Sequence, residues 1–205
     1  MITSPRRAAR VGGALVSLAV TALLASGCDA DPRTAVAVDG ERLEVDRLDA
    51  VTTAYCGYIS EVGVEAQPRA VVRAGFAQLW VYGAALREEA GEDLLAPPPQ
   101  AEDLVAELED AGAQAEVARE TVRLLTLGNA LSDPVVAGAA AQAVEGADVT
   151  VNPQVGQYDE GVLSLDGDGI SVAQGEEARA TTFASDAPVT PEQVAALPAG
   201  QRCGG

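Results

Sequence analysis

A charge-free run near the start of the chain sets its first 27 residues apart from whatever folds. Arg6, Arg7 and Arg10 form a basic opening, Val11 to Leu24 carries no charge, and small residues then lead to Cys28. That order is the pattern of a secretory signal, and the run is shorter than the roughly 20 residues a membrane-spanning helix needs. The chain that folds is therefore expected to begin at Cys28 and to hold 178 residues. Such a length suits one domain with a real core, or one domain plus a flexible tail.

Ala25-Ser26-Gly27-Cys28 resembles the lipobox of bacterial lipoproteins. The resemblance implies that the Cys28 thiol receives a diacylglycerol, that the peptide is cut before it, and that Cys28 becomes the new N-terminus. That class usually has Leu three positions before the cysteine; here Ala25 holds that place and Leu24 lies four before. An ordinary secretory signal with a chance cysteine is the alternative. The implied location is the extracytoplasmic face of the cell membrane, with a multi-chain lipid as anchor.

All 31 acidic residues but only ten of the 13 basic ones follow Cys28, giving a charge of −21 there. A surface this acidic repels nucleic acid and anionic headgroups, so no nucleic-acid partner is expected. Histidine is absent, which excludes Ser-His-Asp triads, Cys-His dyads and His-ligated zinc. With Cys28 committed to lipid, Cys56 and Cys203 remain, and in an exported chain two cysteines read first as a disulfide. Two unpaired thiols are the alternative.

Hydrophobic spacing then lays out the elements. Ala35–Val38 alternates up to the turn Asp39-Gly40, and Leu43-Glu44-Val45 follows as a second extended piece. Asp46 is placed to cap a helix whose stripe is Leu48, Val51, Tyr55, Ile59 and Val62, with Cys56 on its flank. Pro68 is placed in the first turn of a second helix, with Val71, Val72, Gly75, Phe76, Leu79, Tyr82, Gly83 and Leu86 as its apolar face. Trp80 and Val81 widen that face, which predicts burial on more than one side. Gly75 and Gly83 are expected to admit a neighbouring helix, and Gly91 to end this one. Pro97-Pro98-Pro99 reads as an extended connector. Helices are predicted over 100–111 and 113–131, split by Gly112, and a short Ala/Val helix from Ser132-Asp133-Pro134 to Glu145-Gly146. Asp148–Asn152 reads as a strand, and Leu163–Leu165 with Ile170–Val172 as a hairpin or loose turn around Asp166–Gly169. Beyond Ala173 small, acidic and Pro residues predict an irregular tail that Cys203 pins back.

Three pieces together resemble actinobacterial lipoproteins with a SurA-type chaperone N-terminal domain. They are Val36–Arg42 with Val45-Asp46, the apolar helix from Pro68 to Gly91 with the helices after it, and Val149–Asp159 with its Val-Asn-Pro strand. The resemblance covers about residues 35–160. It implies a mainly α-helical domain in which an early strand pairs with a late one, and handling of unfolded exported clients. Full members insert a parvulin prolyl-isomerase domain before the late strand; the few residues between Leu131 and Val149 leave no room for one. The expected organisation is a signal at 1–27, a linker at 28–34, the helical domain at 35–160 and an acidic, mostly irregular tail at 161–205.

Few residues suggest chemistry. Asp166, Asp168 and Glu177 partly imitate an EF-hand loop, but Ile170 and Ser171 stand where it needs a ligand and a Gly, so a solvated turn is the reading. Glu88-Glu89 with Glu92-Asp93 reads as a solvated acidic face rather than an acid/base pair. Trp80, Tyr82, Phe76, Tyr55 and Tyr58 read as core, with a client groove as the alternative. Catalytic, cofactor and metal assignments are none; Cys28 is the lipidation site and Cys56–Cys203 the disulfide. The expected function is a non-catalytic envelope lipoprotein with chaperone-like binding of unfolded clients. The alternative is a structural or accessory lipoprotein bound to one fixed envelope partner.

Overall fold

The computed structural model describes residues 31–90, 98–99, 101–165 and 190–204. Residues 32–204 belong to one compact unit; the signal stretch and Cys28 lie outside the described residues. The unit is mainly α-helical with a few small strands.

Strand β1 (Thr34–Val38) runs through the middle of a three-stranded sheet, antiparallel to β2 (Glu41–Glu44) on one side and to β4 (Val149–Val151) on the other. Val36 faces both Leu43 and Val151 in register, and Val38 faces Val149. The expected pairing of the early and late strands is therefore present. Asp39 (φ 48°) and Gly40 (φ 88°) take the left-handed conformations that a tight two-residue hairpin demands. Ala35, Val36 and Val38 are fully shut from water, so β1 belongs to the core on both edges.

Helix α1 (Val45–Glu61) begins two residues earlier than a cap at Asp46 would place it. Val45 opens the helix rather than closing β2, and Asp46 lies in the first turn without capping it by a side-chain bond. Leu48, Val51, Thr52, Cys56 and Ile59 form its buried face. Val62 ends the helix and is 53% exposed, so the stripe stops one turn short of the expected limit. Thr52, at zero exposure, satisfies its hydroxyl by donating to the Leu48 carbonyl, and Thr121 does the same to Val117.

Pro68 is not in the second helix. Gln67–Pro68 forms a two-residue strand, β3, paired with β7 (Arg202–Cys203), and α2 runs Arg69–Ala90. This helix is the axis of the core. Val72, Phe76, Ala77, Trp80, Val81, Ala84, Ala85 and Leu86 are buried, which spreads over more than one side as the width of its apolar face predicts. Val71 and Gly75 fall on the solvent side instead. Gly83 is buried, and at Gly128 an added Cβ would lie 3.4 Å from Leu79 Cδ1 of α2. Gly91, Pro97 and the side chains of Glu88, Glu89, Glu92 and Asp93 lie outside the described residues.

Pro98-Pro99 forms a turn whose carbonyls take the first amides of α3 (Ala101–Asp110). Gly112 (φ 94°) then reverses the chain. Its amide donates to Glu109 and that of Ala113 to Leu108, so the orphan carbonyls of the helix end are used. Helix α4 (Ala115–Ala130) returns along α3, and Ala101, Val105, Leu108, Ala118 and Val122 close a second small core between them. Asp133 caps α5 (Pro134–Gly146) by accepting from the Val135 amide, with Pro134 in the first turn. The Ala140, Ala143 and Val144 face of α5 is buried in the main core.

A hairpin follows the late strand. Its arms are β5 (Gln157–Asp159) and β6 (Val162–Ser164), turned at Glu160 (φ 47°) and Gly161 (φ 85°). Leu163-Ser164 thus pairs backward with Gln157-Tyr158, not forward with Ile170–Val172, and residues 166–189 lie outside the described ones. The expected boundary at 160 falls inside this hairpin. The described end of the chain is also regular rather than irregular. Thr190 caps α6 (Pro191–Ala195) in a reciprocal capping box with Gln193, a 3₁₀ turn spans Ala199–Gln201, and β7 follows. Val194 and Leu197 are buried, which supplies the apolar grip that the acidic composition hides.

Candidate functional site

Cys56 on α1 and Cys203 on β7 form a disulfide, with their Cα atoms 4.5 Å apart. Cys203 is wholly buried, and its strand lies on β3, which leads from the α1–α2 turn into α2. The bridge therefore fastens the end of the described chain to the place where α1 stops and α2 begins. Three valines also reach solvent there. Val62 is 53% exposed, and Val64 and Val71 are each 38% exposed. Beside them a cleft of about 340 Å³ is lined by Pro68, Arg69, Arg73, Leu197 and Gln201.

The arginines of that cleft are used in holding the fold. Arg69 donates to the Thr53 hydroxyl at 2.6 Å. Arg73 donates to the Asp49 carboxylate at 2.6 Å and to the Gln154 carbonyl at 3.1 Å, so it ties α1 to the turn after β4. Gln78 closes the same side. Its amide nitrogen donates to the Gly161 carbonyl and its oxygen accepts from the Leu163 amide, clamping the β5–β6 hairpin onto α2. Asn152 works at the other edge of the sheet. It donates to the carbonyls of Thr34 and Pro32 and accepts from the Gln154 amide.

A second, larger groove of about 500 Å³ opens where α1, α3 and α4 meet. Ala101, Val105 and Val122 form its floor, and Arg47, Arg119 and Arg123 rise around it, with Glu102, Glu116 and Glu120 on the rim. Three of the ten arginines after Cys28 thus gather at one groove of a strongly acidic chain. Arg123 pairs with Glu120 at 2.6 Å, and its buried Nε has no hydrogen-bond partner. Arg47 donates to the backbone carbonyl of Glu116 at 2.7 Å. Neither Arg47 nor Arg119 has a carboxylate partner among the described residues. The sequence signal for this groove is Arg119-x-x-x-Arg123, one turn apart on a helix; that spacing alone does not mark a groove, because Arg47 comes from a different helix.

Two tyrosines are perturbed. Burial, then a hydrogen bond to the Glu107 carboxylate and that carboxylate's charge, push the Tyr58 phenol above its ordinary value. Burial first, then the neighbouring Tyr82, raise Tyr158, whose hydroxyl is buried without a partner. Trp80 and Phe76 lie in the core, and Tyr55 stands edge-on to Phe76 with ring centres 5.4 Å apart. Tyr55, Tyr58 and Tyr82 are half-buried against the same core. The aromatic set is thus spent on packing. Asp166, Asp168 and Glu177 lie outside the described residues, and among those described no three His, Cys, Asp or Glu side chains are grouped to hold a metal. No single described helix is long and apolar enough to cross a membrane.

No protein-family model matches this chain, and no curated protein or solved structure matches it.

Proposed function

We propose that the chain is a non-catalytic envelope lipoprotein, anchored through Cys28, that presents the α1–α2 end to one fixed protein partner. The observation that carries this reading is the disulfide between Cys56 and Cys203 at the very end where Val62, Val64 and Val71 reach solvent. A surface used for one partner gains affinity when it is held rigid before binding. The cleft beside Pro68 and Leu197 offers the concavity that an anchoring side chain of such a partner would fill.

Chaperone-like holding of unfolded exported clients is the second reading, and the resemblance to SurA-type domains favours it. It would use the same three valines, because the broad apolar faces of α2 are consumed in the core. The two readings differ in selectivity. A photo-crosslinking residue placed at Val62, Val64 or Val71 in intact envelopes should give one discrete adduct for a fixed partner. A broad ladder of adducts would move the conclusion to client holding. No adduct from any of the three, with adducts from control positions elsewhere, would defeat both.

A further inference from the structure

The arginine groove lies at the opposite end of α1 from the exposed valines. Arg47 stands in the first turn of that helix, and 17 residues of helix separate the two ends by about 25 Å. The first turn is also where the chain comes in from its anchor. The Val45 amide donates to the Arg33 carbonyl at 2.7 Å, and Asn152 fixes the carbonyl of Pro32. Four peptide steps join Cys28 to Pro32, and a chain that short spans at most about 14 Å. Resting on the reading of Cys28 as a lipid anchor, these distances hold the Arg47 rim of the groove close to the headgroup layer.

We propose that this groove binds the phosphate of an anionic lipid headgroup in the membrane that carries the anchor. Guanidinium groups suit phosphate because their planar N–H donors match its oxygens two at a time. Arg47 and Arg119 have no carboxylate partner among the described residues, and the unpartnered Nε of Arg123 leaves that guanidinium short of one acceptor. The apolar floor of Ala101, Val105 and Val122 accommodates the glycerol and first methylenes beside the phosphate. The carboxylates of Glu102, Glu116 and Glu120 oppose the ligand. They restrict the site to a single phosphate held by the arginines and exclude a broad anionic patch. The overall acidity does not forbid contact, since charges more than about 8 Å away are screened at physiological salt. The tether also supplies the local concentration that a weak site needs.

The test uses a chain from Asp29 to Gly205. It lacks the anchor but keeps the whole compact unit and both disulfide cysteines. Co-sedimentation is measured at physiological salt with vesicles containing phosphatidylglycerol and with vesicles of phosphatidylcholine alone. Binding is expected only to the former. Replacing Arg47 and Arg119 together by Gln should weaken it by roughly fivefold for each arginine removed. Arg202→Gln, at the far end of the molecule, is the charge-matched control for Arg47→Gln alone and should leave binding unchanged. Equal sedimentation of parent and double variant, or none with either vesicle, overturns the proposal. So does saturable binding of inorganic phosphate or of an acidic peptide without vesicle binding, which would make the groove a site for free anions or protein. Thermal melting of the double variant at the parental temperature separates lost binding from lost fold. Fatty-acid labelling at Cys28 in cells reports on the anchor independently, so failure of the groove and failure of the anchor are distinguishable.

Discussion

Asn152 donates its side-chain amide to the carbonyl of Thr34, 118 positions earlier in the chain, at 3.1 Å. The same side chain reaches Pro32 and accepts from Gln154. One residue thus joins the incoming chain, the late strand and the turn after it, each bond running to a backbone group. Asn152→Asp keeps the acceptor for Gln154 but replaces the donor with a charged oxygen facing two carbonyls. We expect a loss of about 1–3 kcal/mol of stability, read by chemical denaturation. Parental stability would remove Asn152 from its linking role.

Opening the Cys56–Cys203 bridge should cost more. The pairing closes 147 positions, for which the chain-entropy account gives at most about 5 kcal/mol, with smaller values usual in practice. Cys203→Ser, compared with the parent under oxidising conditions, should lower the denaturant midpoint and steepen the transition, because the unbridged unfolded chain exposes more surface. It should also make residues 190–204 accessible to protease, because only Val194, Leu197 and the two-residue β3–β7 pairing then hold that segment. Unchanged proteolysis at this end would show that the segment docks without its bridge.

Tyr158→Phe is expected to stabilise the protein, by about 1 kcal/mol. Its hydroxyl is buried with no partner, and an unsatisfied buried polar group costs about 1–3 kcal/mol. The ring keeps its place among Tyr82 and Leu163 of the core cluster. A destabilised variant would mean that the hydroxyl has a partner.

Stability should fall on the alkaline side. The chain has neither Lys nor His, and Cys56 and Cys203 are bonded, so tyrosines dominate side-chain titration above neutrality. Tyr58 and Tyr158 are both raised from 10.0 in the folded protein. The unfolded chain therefore releases these protons first as pH rises. The stabilisation is fully present below about pH 10 and is lost as pH climbs through the raised folded values. Melting temperatures across that range should decline in the parent and decline less in Tyr58→Phe, Tyr158→Phe. An equal decline in both would place the effect elsewhere.

The sequence made the local devices readable. Asp133-Pro134 announces the start of α5, Gly112 the end of α3, and Asp39-Gly40 the first hairpin, because each relies on one residue's own conformational or capping preference. The pairing of β1 with β4 was readable from two short alternating segments. Features that need two distant segments were harder to see. Pro68 looks like a helix start until β7 arrives to pair with it. The 157–164 hairpin turns at Glu160, a residue with no intrinsic preference for φ above zero, and Gln78 of α2 supplies the missing incentive. The arginine groove was invisible for the same reason, since no single helix carries it.

The position of β1 between β2 and β4 has a consequence in time. Synthesis delivers the central strand and β2 first, and β4 only after more than a hundred further residues. Cys56 must wait longer still, until Cys203 exists. Helices α1 to α5 can form as they appear, because their contacts are near in sequence, but neither closure can be made early. The nascent chain thus remains open and threadable until β4 and then Cys203 have been made.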